Sequence, residues 1–347
     1  MKFHTRRPIA LAAIILTASA ALTACGSDDG GDSGSDSSDG GGELSMTMLP
    51  KNLGNPYFDT STAGAEEAAD DLGAELEEVG PETASPDAQV SYINTVAQQG
   101  QDALILSAND PEALCDAIDE ARSADVKVVT FDADTNPECR DLFVNQATAE
   151  GIAAKQLELI SDQIGGKGEI AILSAAANAT NQNAWIDMME KELADNPDYA
   201  DIELVAKVYG DDDDTKSFQE AQGLMQAYPN LKGIISPTTV GIAATGRYLS
   251  ESEYKGKVAL TGLGLPNEMR PFVKDGTVTE FALWDPAQLG YVAAFAGKAL
   301  ADGDITGEVG DTFEAGELGE REIEEGGIVI VGPPTVFNAD NIDEYDF

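Results

Sequence analysis

Six short apolar runs in this chain are each followed by groups able to make hydrogen bonds. Pro50-Lys51 follows LSMTML, Ser107-Ala108-Asn109-Asp110 follows ALIL, and Asp132 follows VKVVTF. Further on, Ser174 and the loop to Asn181-Gln182 follow EIAIL, Pro237-Thr238-Thr239 follow GIIS, and Asp285 follows TEFALW. Aromatic rings accompany several of them: Tyr57-Phe58 near Lys51, Phe131 before Asp132, and Trp284 beside Asp285. Such a set suits a polyhydroxylated ring. Aromatic plates cover its apolar C–H faces with defined geometry, and ionised acceptors make the stronger hydrogen bonds to its hydroxyl rim. Asp, Asn, Ser and Thr at these places also serve as helix caps and turn residues. Asp110-Pro111 reads as a cap with proline at the first helical position, and Asp285-Pro286 fits the same role with Trp284 in a core.

The residue types needed for several other chemistries are missing. The sole histidine is His4, within a leader segment, so the rest of the chain has no imidazole for a nucleophile triad or a metal site. Neither G-x-S-x-G, a Walker loop nor G-x-G-x-x-G occurs, and Gly262-Leu263-Gly264 runs on into Leu265-Pro266-Asn267. Asp132-x-Asp134-x-Asn136 starts like a calcium loop, but Pro137 stands where glycine is needed and Phe143 where the closing glutamate belongs. The run Asp211–Asp214 reads as a solvated turn. The chain is expected to need no cofactor and no metal and to be no enzyme, although its many carboxylates are compatible by type with glycoside hydrolysis.

The apolar runs alternate with helix-length amphipathic segments, which is the pattern of βα units around parallel sheets. Strands are expected at LSMTML, ALIL, VKVVTF, EIAIL, GIIS, KVALTG and TEFALW. Helices are expected over 59–72, 87–99, 111–123, 149–164, 183–193, 216–227, 240–250 and 286–301. The fold class is therefore α/β, with two doubly wound parallel-sheet lobes, and the Gly165–Gly168 turn is one place for a lobe boundary. In such sheets ligands bind outside the carboxyl ends of the strands, so the groups named above are expected to converge on one cleft.

The first residues, MKFHTRRP and the apolar run from Ile9 to Ala24, have the form of a secretory signal. The sequence Leu22-Thr23-Ala24-Cys25-Gly26 resembles the lipobox of a bacterial lipoprotein, which makes Cys25 the expected lipidated first residue of the mature chain. Residues 26–43 are all Gly, Ser, Asp or Glu, a composition that cannot fold and that would tether a body roughly 25 Å from its anchor. The whole chain carries 20 Lys and Arg against 63 Asp and Glu, a formal charge of −43; loss of Lys2, Arg6 and Arg7 with the leader takes it to −46. That balance argues against nucleic acid or anionic lipid as a partner. Cys115 and Cys139, exported with the chain, are expected to pair, closing a loop worth roughly 3.5 kcal/mol in the chain-entropy model.

Several longer segments resemble a known family. MLPKNLGNPYFD, ALILSANDPEALC, FDADTNPECR, ATNQNAWIDMM, VYGDDDDTKS, SPTTVG, TGLGLPNEMRPFVKDGTVTEFALWDP and the terminal FNADNIDEYDF are similar to the type I periplasmic-binding proteins, in the sugar-binding branch that holds rhamnose-binding and autoinducer-2-binding components of ABC importers. The resemblance implies ligand contacts at Lys51, Asp132, Asn181, Gln182, Pro237, Thr239 and Asp285; the residues themselves add Tyr57, Phe58, Phe131 and Trp284. It implies a three-strand hinge, with 44–147 and about 286–306 in the N-terminal lobe and 148–285 and about 307–347 in the C-terminal lobe. It also implies a monomer, anchored by lipid on the outer face of the cell membrane (the periplasmic side if there are two), that hands a sugar to a membrane permease. ATNQNAW, SPTTVG and TGLGLP look like the rhamnose binders, whereas PECR and Trp284-Asp285 look like the autoinducer-2 binders. Asn181 and Thr239 stand where the latter have Asp and a small residue. Rhamnose or a similar deoxyhexose is the expected ligand, with binding of autoinducer-2 or another pentose or hexose, for uptake or signal sensing, the alternative.

Overall fold

The structure is a computed structural model and describes residues 44–347. The leader, Cys25 and the acidic tether lie outside the described residues. Among the described residues no helix is long and apolar enough to cross a membrane.

The chain first lays down β1 (Ser45–Leu49), α1 (Pro56–Leu72), β2 (Glu75–Glu78), α2 (Pro86–Gln99), β3 (Ala103–Leu106), α3 (Cys115–Ser123), β4 (Lys127–Phe131) and β5 (Leu142–Asn145). It then forms α4 (Ala149–Ile164), β6 (Gly168–Ser174), α5 (Thr180–Asp195), β7 (Ile202–Tyr209), α6 (Asp214–Ala227), β8 (Leu231–Ser236), α7 (Thr239–Ser250), β9 (Ala259–Gly262), α8 (Pro266–Lys274) and β10 (Glu280–Leu283). The last part comprises α9 (Pro286–Asp302), β11 (Thr312–Glu314), β12 (Glu320–Glu322), β13 (Ile328–Ile330) and β14 (Thr335–Asn338).

Two sheets result. The first has the order β13-β5-β4-β3-β1-β2 and is parallel throughout. The second runs β7-β6-β8-β9, also parallel, and a parallel bridge from Leu263 to Ala282 carries it on to β10, which pairs antiparallel with β14. In both, strand order reverses beside the first strand, between β1 and β3 and between β6 and β8, and a crevice opens at such a switch point. All four residues of β3 are buried, as strands covered on both faces must be. The chain passes between the sheets three times, at 146–148, 284–285 and 331–334.

Helix α9 returns to the first lobe and crosses α1 at very close range. A Cβ on Gly64 would lie 1.9 Å from the Ala287 carbonyl oxygen, and one on Gly290 would lie 1.8 Å from that of Ser61. Only glycine permits this approach, and it fixes the start of α1, with Tyr57 and Phe58, against the segment that begins at Trp284.

Some expectations need correction. Segment 307–331 does not join the second lobe: β13 pairs with β5, and the β11–β12 hairpin lies beside α9. Only β14 pairs with the second lobe's β10. The Gly165–Gly168 turn is no lobe boundary, because Gly165 is the left-handed cap of α4, and α4 already packs on β8, β9 and β10. Strands β2, β5, β7, β11, β12, β13 and β14 and helix α8 carry no expectation from the sequence. Cys115 and Cys139 are disulfide-bonded, with their Cα atoms 5.3 Å apart.

Candidate functional site

One cavity lies between the strand ends of the two lobes, the place where ligands bind in sheets of this kind. Lys51, Tyr57, Phe58 and Asp132 line it from the first lobe, Asn181, Gln182, Pro237 and Thr239 from the second, and Trp284 from the hinge.

Lys51 lies two residues past the end of β1 and is buried. Its backbone is held by Asn109, whose side-chain amide donates to the Lys51 carbonyl at 2.9 Å. Gln89, wholly buried, donates to the carbonyls of Pro50 at 3.1 Å and Ser107 at 2.8 Å and accepts from the Asn109 amide. One glutamine on α2 thereby locks the ends of β1 and β3 in register.

Asp132, just past β4, has φ 61, and the Ala133 amide donates to the Phe131 carbonyl across it. This is a γ-turn of the rare positive-φ form, a strain that persists only where surrounding contacts over-determine it. Those contacts are present. The Ser107 hydroxyl donates to Oδ2 at 3.0 Å, the Tyr57 hydroxyl donates to Oδ1 at 3.1 Å, and Lys51 Nζ stands 3.5 Å from Oδ2. Downstream, buried Arg140 grips Asp134 with two hydrogen bonds of 2.7 and 2.8 Å and donates to the Gly327 carbonyl beside β13. The disulfide from Cys139 to the start of α3 closes the same loop.

The second lobe meets these groups through Asn181. Its Nδ2 donates to Asp132 Oδ1 at 3.4 Å and to the Asp132 carbonyl at 3.3 Å, while its Oδ1 accepts from Lys51 Nζ at 3.4 Å. Gln182 accepts from the Ser174 hydroxyl at 2.6 Å and the Ala175 amide at 2.9 Å through Oε1, which leaves its NH₂ as a donor for the cavity. The aromatic wall is built edge to face: Trp284 lies 6.2 Å from Tyr57 and 6.0 Å from Trp185, ring centre to ring centre. Burial, then the Asp132 charge, hold the Tyr57 hydroxyl's pKa well above its usual value, so it stays a proton donor.

Two expected site residues lie elsewhere. Phe131 is fully buried beneath the cavity, edge-on to Phe58 at 6.2 Å; the alternation of β4 turns its ring into the core while Asp132 emerges. Asp285 caps α9, accepting from the Ala287 amide at 2.9 Å, and faces the outer side of the hinge rather than the cavity. Its neighbour Trp284 does line the cavity, so the pair divides between site and cap.

Sequence reasoning missed Asn55, Trp185, Asp212, Thr238, Leu263 and Leu283, all of which line the cavity. Thr238 was visible at its strand end. Trp185 sits one turn beyond Asn181 on α5, which the ATNQNAW spacing already contains. Asp212 contradicts the reading of Asp211–Asp214 as a wholly solvated turn. Asp213 caps α6, and Asp211 and Asp214 pair with Lys216 and Arg247, whereas Asp212 accepts from the Thr238 hydroxyl at the cavity wall. Among the described residues no group of three or more His, Cys, Asp or Glu could hold a metal ion.

Residues 46–305 match the family described as periplasmic binding protein domain. A sugar ABC transporter structure from Actinomyces odontolyticus is 63% identical, covering 88% of this chain and 98% of that one, with a TM-score of 0.73. A solute-binding protein from Clostridium phytofermentas with bound L-rhamnose is 36% identical over 88% and 98% of the two chains, with a TM-score of 0.84. LsrB from Clostridium saccharobutylicum in complex with AI-2 is 26% identical over 88% and 100%, with a TM-score of 0.83. The ribose import binding protein RbsB of Bacillus subtilis is 26% identical over 198 residues, 56% of this chain and 61% of that protein, so the match spans less than two thirds of that relative. The chain belongs to the type I periplasmic-binding-protein family, in its sugar-binding branch, whose members are binding proteins and not enzymes.

Proposed function

We propose that this protein is the extracytoplasmic solute-binding component of an ABC importer and that it captures a small neutral sugar, foremost L-rhamnose or a similar deoxyhexose, between its two lobes. The observation that carries this reading is the bridge from Lys51 and Asp132 to Asn181: charged and amide groups from opposite lobes converge on one aromatic-walled cavity. A sugar hydroxyl replacing one of these long contacts would be bonded by both lobes at once. Ligand then favours the closed form by its difference in affinity for closed and open states, and a permease can distinguish the two.

A deoxyhexose adds a methyl group to the hydroxyl rim. Leu263 and Leu283, which line the cavity together with Trp185 and Trp284, offer that methyl an apolar surface worth about 0.8 kcal/mol per buried carbon. The L-rhamnose-bound relative, 36% identical, supports the same choice. Autoinducer-2 is the second reading, supported by the AI-2 complex at 26% identity, with Asn181 and Thr239 standing against it. Attachment through a lipid on Cys25, action as a monomer and docking to permease subunits complete the proposal.

A thermal-shift screen against L-rhamnose, L-fucose, D-ribose, D-xylose, D-glucose, D-galactose and autoinducer-2 tests it. A ligand at a thousand times its dissociation constant adds about 4 kcal/mol of stability, so L-rhamnose should raise Tm by several degrees. A shift by autoinducer-2 alone would move the protein to signal uptake, and no shift by any compound would refute sugar capture.

A further inference from the structure

Asp212 has no role in the site as derived from sequence, and its surroundings give it one. It follows β7 in a tight turn whose two central residues, Asp211 and Asp212, have φ 53 and 51, closed by the Asp213 amide donating to the Gly210 carbonyl at 3.0 Å. Aspartate is one of the few non-glycine residues that tolerates this region, and the turn delivers the Asp212 carboxylate to the cavity wall. The same residue lines an outer pocket bounded by Lys51, Pro86 and Asn109 of the first lobe and Ala175, Asn178 and Ala179 of the second. Asp212 therefore stands at the junction of the inner cavity with the cleft outside it. Its Oδ1 accepts from Thr238, the residue before α7; no described residue donates to Oδ2.

The charges facing this point are unbalanced. Lys51 lines both the cavity and the outer pocket and pairs with Asp132; among the described residues no cation forms an ion pair with Asp212, so one lysine faces two carboxylates. Lys216, the nearest basic residue on α6, is taken by Asp211. Asp212 meets the start of α7 through the hydroxyl of Thr238, the residue before that helix. Burial raises the Asp212 carboxyl's pKa, with the Thr238 hydrogen bond and the Lys51 charge opposing and Asp132 adding to the rise.

We propose that Asp212 is a ligand-contacting residue that accepts a hydroxyl of a neutral sugar through Oδ2 and rejects sugars bearing a phosphate or carboxylate. This rests on the sugar-binding reading of the same cavity and adds its selectivity: polyols that carry no negative charge pass the junction, and sugar phosphates do not.

The test is titration calorimetry of wild-type protein and of Asp212→Asn and Asp212→Ser with L-rhamnose and D-ribose, and with L-rhamnose 1-phosphate and D-ribose 5-phosphate. Loss of a hydrogen bond to a charged acceptor should weaken the bound neutral sugar about 10- to 100-fold. The preference for the neutral sugar over its phosphate should narrow at least tenfold in both variants. In wild type, that preference should shrink as salt is raised, a readout that needs no variant. Unchanged neutral-sugar affinity and unchanged preference in the variants, or a salt-independent preference in wild type, would overturn the assignment of Asp212 while leaving sugar capture intact. Failure of wild type to bind any neutral sugar would instead remove the reading on which it rests.

Discussion

The indole Nε1 of Trp284 donates to the Tyr57 hydroxyl at 2.8 Å across 227 residues of sequence, and that hydroxyl donates onward to Asp132. The residue at the hinge crossing thus reaches a carboxylate of the first lobe through a single tyrosine, alongside Ser107, Lys51 and Asn181. Trp284 also forms part of the cavity wall, so the relay joins the hinge crossing to the cavity.

Trp284→Phe keeps an aromatic plate but removes the donor. Affinity for the bound sugar should fall about 3- to 10-fold, the net worth of one neutral hydrogen bond, with Tm little changed. Trp284→Ala also empties buried volume and should destabilise by about 3–5 kcal/mol. Calorimetry paired with thermal melts separates the two effects; equal affinity in the Phe variant would show that the relay does not matter.

The α1–α9 crossing is predicted to be intolerant of any side chain. Gly290→Ala or Gly64→Ala must push backbone against backbone, costing upwards of about 1–3 kcal/mol, and should lower both Tm and sugar affinity because α1 carries Tyr57. An alanine variant that melts and binds like wild type would contradict the contact distances.

Mild acid should stabilise this protein. Burial raises the carboxyl pKa of Asp212, Glu268 and Asp285. Each folded value lies above the unfolded one, so this contribution is fully present below the unfolded pKa, about 4, and is lost as pH rises through the folded value. The strong net negative charge acts in the same direction. Asp311, lowered by hydrogen bonds from the Thr306 amide and hydroxyl, works oppositely, but only below about pH 4. Calorimetric Tm should be higher at pH 5.5 than at pH 8, and added salt should raise it more at pH 8. A Tm that declines steadily from pH 8 to 5.5 would be the contrary result.

The Cys115–Cys139 bridge ties the loop after Asp132 to α3. Its removal by Cys115→Ser with Cys139→Ser should cost about 3.5 kcal/mol, seen as a lower denaturant midpoint. Sugar affinity should change less than tenfold, since Ser107, Tyr57 and Arg140 still hold the loop. Unaltered stability would refute the loop-closure account.

The architecture was legible where the pattern was strong. ALIL became β3 without a shift of boundary, and 149–164 became α4 with its expected ends. β2 was hidden because ELEE is an acidic, mostly exposed edge strand with no apolar run to mark it. The α3 boundary moved from 111 to Cys115 because the Asp110 cap serves a separate turn first, accepting from Glu112 and Ala113. Strand-end position puts Lys51, Asp132 and Thr239 on the wall of the cavity, but it does not say which way a side chain turns. Phe131 turns into the core and Asp285 caps α9 for that reason, and nothing in the run Asp211–Asp214 marks Asp212 off from its three acidic neighbours.

Titration calorimetry of the protein with L-rhamnose, beside Asp132→Asn, tests the central claim most directly. Saturable one-to-one binding to wild type is expected, at least 100-fold weaker in the variant because both the charged acceptor and the Lys51 pairing are lost. Absence of heat with L-rhamnose while another of the screened compounds binds would contradict the proposed ligand, and equal binding by Asp132→Asn would contradict the site.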